Sequence, residues 1–144
     1  RLRPTKGLPM LNASPYVIFS GQAREALEFY QSILGGELRV MLQSQYNPDP
    51  AVADLVMHGQ LDLPGFSLMA GDDPSGNTPP DSGRITITLW GDDLDEAHRI
   101  FDALGKGGTV NTAFSKQMWG DYYGDLVDKY GVSWAIDIDV SGES

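Results

Sequence analysis

Tyr16–Gly36, YVIFSGQAREALEFYQSILGG, and Ile87–Gly107, ITLWGDDLDEAHRIFDALGKG, are two versions of one pattern set 71 residues apart. Each opens on strand-forming residues, Tyr16-Val17-Ile18-Phe19 and Ile87-Thr88-Leu89-Trp90, and crosses a short polar turn to a Glu-Ala pair, Glu25-Ala26 and Glu96-Ala97. Each continues as an amphipathic stretch, in which Phe29-Tyr30 answers Ile100-Phe101, and ends in glycine. A second echo matches Gly65-Phe66-Ser67-Leu68-Met69-Ala70 with Gly131-Val132-Ser133-Trp134-Ala135-Ile136 at an offset of 66, so the loops between the echoes differ in length. A fixed internal period reports a repeated supersecondary unit. The expected fold is α+β: two tandem βαβββ modules of roughly 55–65 residues forming a curved mixed sheet whose hollow could hold a ligand.

Working outward, Tyr16–Ser20 reads as a strand and Gln22–Leu34 as a helix, with Ala23, Ala26, Leu27, Tyr30, Ile33 and Leu34 on one stripe and Gly35-Gly36 as its stop. Glu37–Gln43 alternates as a strand, and Gln45–Ala53, with Pro48 and Pro50, is a loop. Leu55–Leu61 and Gly65–Ala70 form a hairpin around Asp62-Leu63-Pro64-Gly65. Asp72–Gly83, rich in proline, glycine and polar turn residues, links the copies. The second copy gives a strand over Arg84–Trp90, a helix over Leu94–Leu104 capped by Asp92 or Asp93, and strands near Gly108–Asn111, Gly124–Asp128 and Val132–Asp139. The domain plan is an N-terminal extension (1–13) and one domain (14–140), made of module one (14–73) and module two (83–140).

Composition excludes several classes. The 144 residues are 41% hydrophobic and 21% charged, which fits a single globular domain with a sizeable core. Ten basic residues scattered among twenty acidic ones give a net charge of −10, so no phosphate-binding patch is available: no nucleic-acid partner and no anionic membrane surface is expected. No apolar run reaches the ~18 residues of a membrane span, and Arg1–Leu11 lacks the apolar stretch of a complete signal peptide. The expected compartment is the cytoplasm. Without cysteine there are no disulfides and no thiolate chemistry.

Longer strings carry a resemblance. Pro15-Tyr16, Glu25-Ala26-Leu27-Glu28-Phe29-Tyr30 and Met57-His58 ahead of Leu68-Met69 are joined by a specific run, Trp119-Gly120-Asp121-Tyr122-Tyr123-Gly124 through Asp128-Lys129-Tyr130-Gly131-Val132-Ser133-Trp134. Over residues 14–139 the chain resembles the vicinal oxygen chelate superfamily, the group of glyoxalase I, bleomycin-resistance proteins, fosfomycin-resistance proteins and extradiol dioxygenases, and within it the PhnB-like branch. The resemblance implies a glyoxalase/bleomycin-resistance-like cup and a homodimer. It also implies a divalent ion held by His or Gln on the first strand and Glu on the last strand of each module. Those positions fall on Pro15 and Met69, then Thr86 and Ala135, none of which supplies an imidazole or carboxylate. The inherited metal site is expected to be absent, and no cofactor is expected.

Two groups of residues remain as candidates. Strand alternation places His58, Val56 and Gln60 on one face, with Leu55, Met57 and Leu61 on the other. His58 beside Gln60 offers an acid/base and an orienting amide, against the plainer reading of a histidine bonded into the sheet surface. PhnB-like chains commonly carry a histidine at this point, which strengthens the first reading while the plainer one stays ahead. His98, inside the second helix, reads as a surface histidine. Trp119, Asp121, Tyr122 and Tyr123 could wall a mixed-polarity pocket from a loop at its rim, or pack under that loop; Asp121 after Gly120 also suits a turn. Gly105-Lys106-Gly107-Gly108 follows a helix instead of opening one, so it is no phosphate cradle. No Gly-x-Gly-x-Gly strand–turn–helix offers an S-adenosylmethionine site, although PhnB-like chains often carry a methyltransferase label, and no Gly-x-Ser-x-Gly elbow supports a hydrolase. Three readings follow: a metal-free binder of an unidentified small molecule, an enzyme of lyase, isomerase or dioxygenase type using His58 as acid/base with or without a metal bound in a non-standard way, and a scaffolding dimer whose pocket is filled.

Overall fold

The computed structural model of the protein describes residue 12, residues 14–77 and residues 85–140. Its elements run β1 (Tyr16–Phe19), α1 (Ala23–Leu34), β2 (Glu37–Leu42), β3 (Val56–Leu63), β4 (Phe66–Asp72), β5 (Ile87–Gly91), α2 (Leu94–Gly105), β6 (Thr109–Lys116), β7 (Tyr122–Val127) and β8 (Ser133–Ile138). The strands form two four-stranded mixed sheets, ordered β1-β4-β3-β2 and β5-β8-β7-β6. The orders match position for position, and in each sheet the first strand runs parallel to the last while the others are antiparallel. The tandem βαβββ plan read from the repeat is the plan of the molecule.

Each helix has its own start signal. The side chain of Gln22 makes no capping bond to α1. Asp72, buried at the end of β4, does the work from across the module: its Oδ1 accepts from the amides of Gly21 (2.8 Å) and Ala23 (3.0 Å). Gly35, at φ 80°, ends the helix. On α2, Asp93 accepts from the Glu96 amide at 3.1 Å, as expected of one of the two aspartates, and Asp95 and Glu96 in the first turn suit the helix dipole.

Both helices lay an apolar stripe on their own sheet. Ala23, Ala26, Leu27, Tyr30 and Ile33 are buried on α1, and Ala97, Phe101 and Leu104 on α2. The middle strand of each sheet makes room with a glycine. A Cβ on Gly59 of β3 would run into Leu27, and one on Gly124 of β7 would lie 2.7 Å from the Phe114 Cα and 2.8 Å from the Phe101 ring. The modules are joined on their helix sides into one core. Asp128, in the turn before β8, accepts from the Tyr30 hydroxyl of α1 (2.6 Å) and the Trp134 indole (2.9 Å), while its other oxygen takes the amides of Tyr130 and Val132. Burial, then the Asp128 charge, pushes the Tyr30 hydroxyl far above its ordinary pKa. Tyr130, under burial and its bond to Glu25, is pushed up to about 12.

Several boundaries differ from the expectations. β6 runs on to Lys116 because two register shifts let a bulged strand keep pairing with β7. β7 begins at Tyr122, so Tyr122 and Tyr123 are strand residues and only Trp119 to Asp121 belong to the connecting turn. The first half of the expected inter-module linker is the end of β4 and a turn in which Asp73 accepts from the Ser75 amide and hydroxyl. Residues 78–83 of that linker, Arg84 of the expected strand and nearly all of the N-terminal extension lie outside the described residues.

Candidate functional site

The side of each sheet turned away from its helix carries the polar side chains. On the first sheet a register shift between Met41 and Leu42 pairs Leu42 with Val56 and Met41 with His58, leaving Met57 as an extra residue. That bulge corrects the simple alternation. Val56 goes to the core with Leu61, both fully buried, and is not beside His58. Downstream of the bulge the alternation holds, and His58, Gln60 and Asp62 share the open face.

These three form a bonded row. The Gln60 amide nitrogen donates to Asp62 Oδ1 at 2.7 Å, and the Gln60 Oε1 lies 3.4 Å from His58 Nε2. Ser67, on the paired strand, donates to Asp62 Oδ1 at 2.7 Å, and Arg39 reaches Asp62 Oδ2 at 2.7 Å. The bonds from Gln60 and Ser67, ahead of Arg39, hold the Asp62 carboxyl below its ordinary pKa. The Tyr16 ring sits 5.6 Å from the His58 ring. Gly71 permits that placement, since a Cβ there would lie 2.8 Å from the Tyr16 hydroxyl. A cleft of about 400 Å³ opens beside the row, lined by Ser14, Gln60, Phe66, Ser67 and Met69 among others. A larger, mostly apolar cleft of about 570 Å³ shares Gly65 and Phe66 with it and runs along Ile87 to Trp90 of β5.

The second candidate group divides. Tyr123 faces outward, its hydroxyl donating to Asp125 Oδ2 at 2.9 Å, and this bond raises its pKa. Trp119 is 64% exposed, with its ring 6.2 Å from that of Tyr123. Burial and then the neighbouring carboxyl of Asp121 push Asp137 above the usual carboxylate range. Tyr122 turns the other way, its ring meeting Phe114 and His98 over α2. His98 itself is an exposed helix residue whose ring edge rests on Phe114. The structure therefore brings His58 and Gln60 together, and Trp119, Asp121 and Tyr123 together, but on different sheets. No hydrogen bond, ion pair or ring contact among the described residues joins the two groups. Sequence reasoning passed over Asp62, which reads as a turn residue, and its partners Arg39 and Ser67. Two further steps of the alternation from His58 reach Asp62, and hairpin pairing then reaches Ser67.

The superfamily's divalent metal does not fit this chain. Met69 lies opposite both Tyr16 and Gln60, and Ala135 opposite Thr88 and Asp125, so the strand positions that would aim ligands into a cup carry a thioether and a methyl group. Among the described residues no three His, Asp or Glu side chains converge as a ligand set.

Two equivalent βαβββ sheets, each with an open face and a helix behind it, define a fold class, the one shared by solved structures described as glyoxalase/bleomycin resistance/dioxygenase proteins. Within the class the chain belongs to the PhnB-like family whose model is described as 3-demethylubiquinone-9 3-methyltransferase, which matches residues 12–137. It is 35% identical to protein PA1353 from Pseudomonas aeruginosa, with a TM-score of 0.80 over 90% of this chain and 98% of that one. A PhnB protein from Bacillus cereus superposes at a TM-score of 0.76 and 21% identity, over 89% of this chain and 99% of that one. Protein YjdN of Escherichia coli K12 is 29% identical over 142 residues, 87% of this chain and 93% of that protein. The methyltransferase in the family description finds no counterpart in the described β–α junctions. Ser20-Gly21-Gln22 and Asp92-Asp93 are short turns without a glycine-rich phosphate or nucleoside cradle.

Proposed function

We propose that the chain binds a small organic molecule on the open face of its first sheet, without the metal of its superfamily, as a homodimer in the cytoplasm. The observation that carries this reading is the bonded row His58–Gln60–Asp62 beside two adjoining clefts, one polar and one apolar. A molecule with a flat apolar body and a hydrogen-bonding end suits that pair: the body against Phe66, Leu89 and Trp90, the polar end at Gln60 and Ser67. Exposed apolar residues support the homodimer. Tyr16, Ile18 and Trp119 lie exposed on or beside the two open faces, and the carboxylates Asp121, Asp125 and Asp137 of the second would meet the polar row of the first, where Arg39 is already paired with Asp62. Pairing unlike faces across a twofold axis would bring Trp119, Asp121 and Tyr123 of the partner over His58, completing one cup from two half-sites. An enzymatic second reading uses His58 as the acid/base of the same site.

Native mass spectrometry with elemental analysis of protein purified without added metal tests the reading. The expected result is a particle of twice the 15.7 kDa chain mass, with no stoichiometric transition metal. A monomer at all concentrations rejects the dimer. One chelator-removable ion per chain, required for stability, rejects the metal-free site.

A further inference from the structure

We infer that Asp62 is a positioning residue for His58: relayed through the Gln60 amide, it makes Nε2 the protonated ring nitrogen and leaves Nδ1 as a bare lone pair, so the ligand group met there is a hydrogen-bond donor. The inference rests on reading this face as the ligand site. The relay is built from groups whose roles chemistry fixes. An ionised carboxylate only accepts hydrogen bonds. Both Asp62 oxygens are engaged, Oδ1 by Gln60 and Ser67 and Oδ2 by Arg39, so the Gln60 side chain must present its NH2 end to Asp62. A planar amide held by its nitrogen turns its oxygen the opposite way, and that oxygen lies 3.4 Å from His58 Nε2. An amide oxygen only accepts, so a neutral His58 must carry its proton on Nε2. Among the described residues no hydrogen bond is made at Nδ1.

The consequence is selectivity for polarity. Opposite neutral His58, a hydroxyl, an amide N–H or an acidic C–H meets a lone pair, whereas a carboxylate or carbonyl oxygen meets another. Were the site catalytic, Nδ1 would be the base, taking the proton while Gln60 continued to receive the Nε2 hydrogen. Ser67 and Arg39 keep Asp62 ionised and fixed, so a surface hairpin acquires a directional chain of three side chains.

A long-range proton–nitrogen correlation spectrum of histidine-labelled protein, recorded without ligand and with the imidazoles neutral, tests the relay. The wild-type His58 is expected as the Nε2–H tautomer, its Nδ1 resonating in the unprotonated region. Asp62→Lys replaces the acceptor with a donor, which should turn the Gln60 amide and move His58 to the Nδ1–H tautomer. In a Gln60→Met background the same Asp62→Lys change should leave the His58 pattern where Gln60→Met puts it. His98 serves as the internal reference and should not move in any variant. A wild-type His58 found as Nδ1–H overturns the inference with no variant needed, and so does a folded Asp62→Lys protein with an unmoved His58 pattern. Because no ligand is present, a correct tautomer with no molecule ever binding this face would fail the binding proposal and leave the relay standing.

Discussion

Two buried or half-buried aspartates show how one residue type is put to opposite uses. Asp128 accepts hydrogen bonds from four donors, and it joins α1 of one module to the β7–β8 turn of the other. Tyr30→Phe keeps the ring in the core and removes one bond to a charged acceptor, a loss of roughly 1.5–3 kcal/mol in a urea titration. A change below about 0.5 kcal/mol would mean that the hydroxyl bond does not hold the modules together. Asp137 is placed so that its charged form is disfavoured, first by burial and then by Asp121. The folded state therefore holds that proton more tightly than the unfolded chain. The stability it contributes is present below the ordinary carboxylate pKa and is lost as pH rises through the raised one. Asp137→Asn should accordingly be more stable than wild type at neutral pH, the difference in melting temperature shrinking as pH falls toward about 3.9 and below. A variant less stable at pH 7 and equal in acid would reverse the sign and refute the placement.

The same pattern written twice produced elements that can be compared in pairs. The helices were legible because their apolar residues recur at helical spacing, and the structure buries that stripe on both. The paired glycines beneath them were not read, since a lone glycine in a strand signals nothing until the helix above it is known. They differ in what they face. A methyl group on Gly59 meets the flexible end of Leu27, whereas on Gly124 it meets the Phe114 backbone as well as the Phe101 ring. Gly124→Ala should therefore cost about 1–3 kcal/mol by overpacking, and Gly59→Ala less, as compared by chemical denaturation. Equal costs would mean that the Phe114 backbone on β6 gives way as readily as the end of Leu27. Alternation was a fair guide to the site strand below the bulge and failed above it, because a single inserted residue, Met57, reverses which way everything before it points. The Trp119–Tyr123 run misled in a related manner. As a loop it could have aimed all of its rings at one pocket, but as the start of β7 it must send Tyr122 and Tyr123 to opposite faces.

At the scale of the whole molecule, the repeat fixed what could be known: two equal modules, two helices joined back to back in one core, and two open sheet faces left over. What a sequence cannot express is which open faces meet, because that depends on contacts between residues far apart in the chain or on different chains. The two candidate groups, read from the sequence as one pocket, lie on separate sheets for this reason. The central claim is that the face holding His58, Gln60 and Asp62 is where a small molecule binds. Titrating a library of neutral aromatic alcohols and amides into isotope-labelled protein, and mapping the amide and side-chain shifts, tests it most directly. The predicted result is saturable shifts at Tyr16, His58, Gln60, Ser67 and Met69 that vanish in His58→Ala and persist in His98→Ala. Saturable binding confined to α2 and the surroundings of His98, with the His58 face unmoved, would contradict the account.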